Sequence, residues 1–288
     1  MSTPTFMEML RARWAEGKFV CVGLDSDYAK IPESVRTRFC HGKSLSISDA
    51  MASFNRAIVE VTKDFVCAYK PNTAFYEEHG SEGVDALQRM VANIHNWAPG
   101  VPVILDAKRA DIGNTNEGYV KFAFDYCGAD AITVHPYLGE EALKPFLERA
   151  DKGVIILCRT SNPGAGEFQD LKIELWGGGH VPLYQVVARQ VAEKWNKNGN
   201  CALVVGATYP DELRAVRQII GDMPILIPGI GAQGGDVEKT VAAGKDSRRQ
   251  GIIINSSRGI IFASRGEDFL EAAMRETMKL HGLINQYR

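Results

Sequence analysis

The sequence has no long uninterrupted apolar segment. Its N-terminal part carries Glu8, Arg11, Arg13, Glu16 and Lys18 among its apolar residues, so it lacks the continuous apolar core of a signal peptide. No later run reaches the roughly 20 apolar residues that a helix needs to cross a bilayer. We therefore expect a cytoplasmic protein that has no membrane partner.

The chain also has little net charge. Its 33 basic and 35 acidic residues give a formal net charge of −2, whereas proteins that coat nucleic acids or anionic membranes carry a basic excess. The balance therefore argues against a nucleic-acid partner. It does not exclude a small anionic ligand, because a few lysines in one pocket barely change the total.

Patterns typical of metal sites and disulfides are missing as well. The six cysteines form no CxxC pair, and the histidines show no ligand spacing. Cys21, Cys67, Cys158 and Cys201 lie inside apolar runs, which predicts buried, reduced thiols. We expect neither a disulfide framework nor a zinc site.

Eight short apolar runs alternate with eight segments of helical periodicity. The runs cover residues 19–24, 65–69, 101–105, 131–134, 153–158, 201–206, 224–227 and 251–254. The helical segments cover residues 47–62, 83–97, 114–126, 140–150, 183–196, 210–220, 236–243 and 268–281. Most runs are apolar throughout, which is typical of strands covered on both faces. The alternation predicts an α/β fold in which residues 1–288 form a single-domain (β/α)8 TIM barrel with an N-terminal helical extension, and a doubly wound open sheet is the alternative.

Polar residues follow the predicted strands, at the end where barrel enzymes place their active sites. Asp25 follows the first run, Lys70 the second, Ser161 the fifth and Arg258 the eighth. Two connections near such ends, 29–46 and 162–180, are unusually long, and long connections of this kind are often lids or binding loops. We expect a functional site on this face of the barrel.

The residues after the third run are the most informative. Asp106 and Lys108 are two apart, so an extended backbone points both side chains the same way. Lys70 comes from the neighbouring strand, and the alternating signs keep the lysines charged and the aspartate ionised. Asp111 lies beyond the strand and reaches either this site or another. A structural salt-bridge network is the alternative for any one residue, but the set together favours function.

Four segments together resemble one known family, the orotidine 5′-phosphate decarboxylases, in its longer form. The segments are DAKRADIGNT at 106–115, KPNTAF at 70–75, SNPGA at 161–165 and PGIGAQGG at 228–235. The resemblance covers nearly the whole chain. The Asp-x-Lys-x-x-Asp pattern alone is shared with metal-dependent sugar-phosphate relatives, but its combination with Lys70 and the Gln233 loop is specific.

The resemblance implies decarboxylation of orotidine 5′-phosphate to UMP, a step of pyrimidine biosynthesis, with no cofactor and no metal. It implies that Lys108 protonates C6 of the pyrimidine, that Asp106 and Asp111 flank the substrate carboxylate, and that Lys70 completes the charge array. It also implies a homodimer in which Asp111 and Thr115 are contributed to the partner's site.

The resemblance assigns the remaining contacts to the nucleotide substrate. Asp25 and Lys70 would hold ribose hydroxyls, and Ser161 would contact the pyrimidine ring. Gln233 and Arg258 would bind the phosphate, helped by the glycine-rich loop before Gln233, whose backbone amides can approach an anion. The two long connections depart from the short form of the family.

Two other functions fit the same scaffold. One is a Mg²⁺-dependent 3-keto-sugar-phosphate decarboxylase or hexulose-phosphate aldolase, which needs a metal-ligating acid near the first and second strand ends. Lys70 opposes a cation at that place. The other is a non-catalytic barrel that binds a sugar phosphate, which would not require Lys108 between two acids.

Overall fold

Eight parallel strands form the central sheet in the computed structural model, which describes residues 3–38, 45–174, 178–230 and 235–288. Two further strands, Lys172–Glu174 and His180–Pro182, form a separate antiparallel hairpin. The strands are β1 (Val20–Gly23), β2 (Val66–Lys70), β3 (Ile104–Arg109), β4 (Ala131–Val134), β5 (Gly153–Arg159), β6 (Lys172–Glu174), β7 (His180–Pro182), β8 (Cys201–Val205), β9 (Ile225–Pro228) and β10 (Ile252–Ser256).

Helices connect successive strands and cover the outside of the sheet. They are α1 (Phe6–Ala15), α2 (Glu33–Arg38), α3 (Ile47–Thr62), α4 (Ala74–Glu77), α5 (Gly80–Trp97), α6 (Gly113–Val120), α7 (Gly139–Leu147), α8 (Gly166–Gln169), α9 (Leu183–Gln190), α10 (Pro210–Ile220), α11 (Val237–Gly244), α12 (Arg258–Ile261) and α13 (Phe269–Tyr287). Wide π-helical turns, Lys121–Tyr126 and Val191–Trp195, extend α6 and α9. None of the helices in the described ranges is long and apolar enough to cross a membrane.

The sheet closes on itself. Hydrogen-bonded neighbours run in the order β2-β1-β10-β9-β8-β5-β4-β3, which leaves β2 and β3 at the two ends. These ends meet, because the Tyr69 N–H donates to the Pro102 carbonyl at 3.0 Å and the Asp106 N–H donates to the Pro71 carbonyl at 2.9 Å. Both prolines lack an N–H, so this seam has fewer bonds than a full ladder. The TIM barrel is confirmed, and the open sheet is wrong.

The core is apolar because most strands of the central sheet are buried. All four residues of β1 and all five of β8 are buried, as expected for runs that are apolar on both faces. Cys21 on β1, Cys67 on β2, Cys158 on β5 and Cys201 on β8 are buried free thiols, which confirms the prediction for all four. This packed interior leaves the carboxyl ends of the strands as the place for a polar site.

The third strand differs most from the prediction. The apolar run at 101–105 predicted a strand that stops before Asp106, whereas β3 begins at Ile104 and continues through Arg109. Charged residues are tolerated in this strand because oppositely charged side chains compensate Asp106. The other apolar runs match their strands to within two residues at either end.

The two long connections contain local structure that the sequence did not predict. The first holds a 3-10 turn (Tyr28–Lys30) and α2, and its residues 39–44 lie outside the described residues. The second holds a 3-10 turn (Pro163–Ala165), α8 and the β6–β7 hairpin, with residues 175–177 outside the described residues. The second connection therefore lies directly against the end of β5.

Candidate active site

A cavity of about 380 Å³ opens at the carboxyl ends of the strands. Its charged side is formed by Lys70, Asp106 and Lys108, which end β2 and lie on β3. Leu157 of β5 and Val204 of β8 belong to its apolar side. Since apolar side chains face a small set of charges, the cavity suits a flat ligand with one anionic group.

One carboxylate and two ammonium groups form an array at this mouth. Lys70 Nζ lies 2.6 Å from Asp106 Oδ2, and Lys108 Nζ lies 2.7 Å from Asp106 Oδ1. Lys70 is buried, whereas the Lys108 side chain is 48% exposed. Lys70 is therefore fixed in place, while Lys108 can be reached by a ligand.

The charges of the array support one another. Burial alone would lower the pKa of the Lys70 ammonium, but the carboxylates of Asp106 and then Asp25 outweigh burial and hold that pKa above its usual value. Burial alone would raise the pKa of Asp106, but Lys70 and then Lys108 outweigh it, so the pKa of Asp106 lies well below its usual range. Lys70 and Asp106 are therefore charged at neutral pH.

The backbone of β3 brings Asp106 and Lys108 together by an unexpected route. We predicted a regular extended strand, but the pairing of β3 with β4 shifts register between Leu105 and Arg109. Lys108 has a φ of 49°, in the left-handed region that residues other than glycine rarely adopt. The expected proximity is confirmed, but a bulge rather than strand alternation produces it.

The end of β5 is held by the connection that follows it. The Arg159 guanidinium donates to Asp170 Oδ2 at 3.0 Å and lies 4.0 Å from the centre of the Tyr209 ring. The Thr160 N–H donates to Gln169 Oε1 at 2.8 Å, and Gln169 Nε2 donates to Thr160 Oγ1 at 3.0 Å. These contacts attach α8 to the strand end immediately before Ser161.

Ser161 lies in the cavity, and Asp25 lies close enough to Lys70 to act on its charge. Ser161 lines the cavity and packs closely over Gly206, where an added Cβ would lie 2.7 Å from the Ser161 Cβ. Asp25 acts electrostatically on Lys70, and among the described residues its buried Oδ1 has no hydrogen-bond partner. An unpaired buried carboxylate oxygen that acts on Lys70 is available to accept a hydrogen bond from a ligand.

The other predicted site residues lie apart from the array or cannot be placed. Asp111 accepts a hydrogen bond from the Ile112 N–H at 2.7 Å, and Thr115 is exposed on the first turn of α6. Arg258 is exposed at the start of α12, and in the described part of the chain its guanidinium makes no hydrogen bond or ion pair. Gln233 lies outside the described residues. The structure therefore brings together Lys70, Asp106 and Lys108, with Asp25 and Ser161 nearby.

Thr133 and Gln169 are among the cavity residues that were not predicted as site residues from the sequence. Thr133 is the single polar residue of β4, and that isolation in an apolar run was a usable signal. Gln169 lies within the long second connection, where no periodicity marks it. Both line the cavity through side chains whose partners depend on the folded backbone.

Within the described ranges, no group of three or more His, Cys, Asp and Glu side chains is arranged to hold a metal ion. The cations nearest Asp106 are the two lysine ammonium groups. Metal independence stays a prediction.

Comparisons with known proteins agree on one family. The sequence profile of the Orotidine 5'-phosphate decarboxylase / HUMPS family matches residues 18–273. The chain is 50% identical over 285 residues to an orotidine 5′-phosphate decarboxylase from Cupriavidus metallidurans, covering 99% of each chain. It is 49% identical over 284 residues to that of an Azoarcus species, covering 98% of this chain and 99% of the other. The solved structure of Leishmania donovani OMP decarboxylase is similar with a TM-score of 0.79 and 35% identity, covering 97% of this chain and 98% of that one.

Proposed function

Because the chain belongs to the orotidine 5′-phosphate decarboxylase / HUMPS family, we propose that Lys70, Asp106 and Lys108 form its decarboxylating centre. The chain is an enzyme that converts orotidine 5′-phosphate to UMP, a step of pyrimidine biosynthesis. The observation that carries the proposal is the contact of two ammonium groups with one buried carboxylate at the barrel mouth.

Lys108 acts on the carbon that loses CO2. Cleavage of the bond between C6 and the carboxylate leaves an electron pair in the ring plane, where the π system cannot delocalise it well. An ammonium fixed beside C6 gains energy as that charge develops, so it stabilises the transition state more than the bound substrate. Lys108 then gives its proton to C6 and forms UMP. Its partly exposed side chain and its contact with Asp106 support this role.

Asp106 acts on the carboxylate that leaves. A second anion at ~4 Å costs roughly 4 kcal/mol at an effective dielectric constant of ~20, and this repulsion disappears when neutral CO2 departs. Its low pKa keeps Asp106 ionised throughout. The buried Lys70 compensates the charge of Asp106, so that the Asp106 carboxylate stays ionised and fixed in position.

The remaining contacts hold the nucleotide. We propose that Asp25 and Lys70 bind the ribose hydroxyls and that Ser161 contacts the pyrimidine ring. Arg258 and Gln233 would bind the phosphate, far from the reacting carbon, where binding energy serves to close the site. The unpaired Asp25 oxygen, the place of Ser161 in the cavity and the exposed Arg258 support these assignments.

A homodimer would complete the site. We propose that Asp111 and Thr115 reach the array of the partner subunit, with Asp111 beside the substrate carboxylate. Large apolar side chains are exposed close to them, since Ile112 is 59% exposed and Tyr137 is 84% exposed. These residues precede α6 and α7, which pack against each other, and exposed apolar side chains of this size are typical of an interface.

Orotidine 5′-phosphate consumption by the purified protein tests this function. We expect turnover to UMP that survives exhaustive EDTA treatment, because Lys70 and Lys108 supply the positive charge. We propose accordingly that the enzyme works without metal or cofactor, in the cytoplasm. Activity that disappears with EDTA and returns with Mg²⁺ would favour the metal-dependent sugar-phosphate enzymes. Nucleotide binding without turnover would favour a non-catalytic barrel.

A further inference from the structure

Thr133 connects the two catalytic residues of β3. It lies on β4, is 1% exposed, and lines the cavity. Its hydroxyl donates a hydrogen bond to Asp106 Oδ1 at 2.9 Å and accepts one from the Lys108 backbone N–H at 3.0 Å. One hydroxyl therefore contacts both the carboxylate of one residue and the backbone of the other.

The bulge in β3 explains why this hydroxyl is needed. Regular pairing with β4 stops after Leu105 and resumes at Arg109, which pairs with Val134. Between them, the Lys108 N–H donates to a side chain rather than to a β4 carbonyl, and its φ of 49° is unusual for a residue with a Cβ. Such a backbone persists only where its surroundings fix it. The Thr133 hydroxyl supplies the hydrogen bond that the interrupted ladder does not.

We infer that Thr133 is a positioning residue, which holds the Asp106 carboxylate and the Lys108 backbone in the relative placement that aims the Lys108 ammonium at the reacting carbon. This inference rests on the function proposed above. Small displacements of a catalytic group lower the rate of the chemical step even when ligand binding is unchanged. Loss of the hydroxyl should therefore reduce kcat, with little effect on the affinity for the nucleotide.

The matched variants are Thr133→Val, which keeps the branched shape without the hydroxyl, and Thr133→Ser, which keeps the hydroxyl. We expect Thr133→Val to lower kcat roughly 10–100-fold, the effect of losing one hydrogen bond to a charged group. Its KM for orotidine 5′-phosphate and its Kd for UMP should change less than about threefold, and Thr133→Ser should retain most of the wild-type kcat. If Thr133→Val does not fold, Thr133→Ala compared with Thr133→Ser makes the same test.

Hydrogen–deuterium exchange provides a readout that does not depend on activity. In a peptide that covers β3, the Lys108 amide should exchange faster in Thr133→Val than in wild type, and Thr133→Ser should restore its protection. Wild-type kcat in Thr133→Val would overturn the inference and leave the proposed function intact. Equal loss in both variants would also overturn it, because a variant that keeps the hydroxyl would then be as impaired as one that lacks it. An inactive wild-type enzyme would overturn the proposed function and the inference together.

Discussion

Asp106 is the residue on which the site converges. Its two oxygens accept hydrogen bonds from Lys70, Lys108 and the Thr133 hydroxyl, although the side chain is only 11% exposed. A buried carboxylate is stable only when such partners compensate it. The charge that we propose to act beside the substrate therefore also contributes to the stability of the barrel mouth.

Replacement of Asp106 should destabilise the fold. Asp106→Asn leaves the buried Lys70 without its closest counter-charge, and breaking a buried pair in this way costs about 3–5 kcal/mol of unfolding free energy. Glu60→Gln is the control, since its pair with Arg56 is exposed and should contribute about 0.5 kcal/mol or less. Urea unfolding at neutral pH measures both. Equal stability of the two variants would contradict the account.

The difference between wild type and Asp106→Asn should depend on pH in a defined direction. The folded pKa of Asp106 lies below its unfolded value of about 3.9, so its contribution is present above that value and is lost as the pH falls through the folded pKa. The stability difference should stay constant from about pH 7 to about pH 5 and shrink below about pH 4. Urea unfolding at each pH measures it. A difference that grows on acidification would contradict the assignment.

The sequence predicted the charged residues of the site better than their geometry. Lys70, Asp106 and Lys108 could be found because charge appears where apolar strands end. The bulge at Lys108 could not be predicted, because it depends on how β3 pairs with β4. Thr133 acquires its two hydrogen bonds only through that bulge, so its place in the site became visible in the structure alone.

The connection after β5, which contains α8 and the β6–β7 hairpin, shapes the side of the cavity that carries Ser161. Helix α8 ends at Gln169 and is followed by Asp170. Asp170 accepts a hydrogen bond from Arg159, the last residue of β5, and Gln169 accepts one from the Thr160 N–H. Sequence periodicity missed α8, β6 and β7, because elements of three or four residues are too short for a pattern. No residue of the hairpin strands is fully buried, since β6 is exposed and β7 is at most half-buried. Only the unusual length of this connection was predictable.

Loosening this attachment should weaken substrate binding more than chemistry. Asp170→Asn removes the counter-charge of the buried Arg159, so the segment that carries Ser161 should be less ordered. We expect KM for orotidine 5′-phosphate to rise about 5–20-fold, the effect of roughly 1–2 kcal/mol, with kcat changed by less than about threefold. Steady-state kinetics measures both.

Glu174→Gln is the matched control for that variant. Glu174 is exposed on β6 of the same connection, and its side chain makes no hydrogen bond or ion pair with the described residues. The kinetics of Glu174→Gln should therefore equal those of wild type. If Asp170→Asn lowered kcat while KM stayed constant, the attachment would serve the chemical step and not the binding of the substrate.

At the scale of the whole molecule, the sequence predicted the barrel, but the alternation by itself left an open sheet as the alternative. Alternating apolar runs and helical segments indicated the architecture, because strands covered on both faces need helices between them. Closure depends on the β2–β3 seam, where two prolines interrupt the ladder and single bridges join Tyr69 to Val103 and Asn72 to Asp106. The β2–β3 seam that closes the barrel also places the Lys70 side chain against Asp106, and this ion pair is part of the array.

The shared site of the proposed homodimer predicts complementation between inactive variants. When Lys108→Ala and Asp111→Ala subunits exchange, one site of each mixed dimer inherits both defects and the other inherits neither. Random pairing makes half of the dimers mixed, so about a quarter of all sites should recover. Activity after exchange, with mixed dimers verified by mass, measures this. No recovered activity would show that Asp111 serves its own subunit.

The most direct test of the whole account is the turnover of Lys108→Ala. The Lys108 side chain is 48% exposed, so its truncation should leave the fold intact and should leave the affinity for UMP within about tenfold of wild type. Because the lysine is proposed both to stabilise the carbanion and to supply its proton, kcat for orotidine 5′-phosphate should fall at least about 10³-fold. A folded Lys108→Ala enzyme that binds UMP and keeps substantial decarboxylase activity would contradict the account.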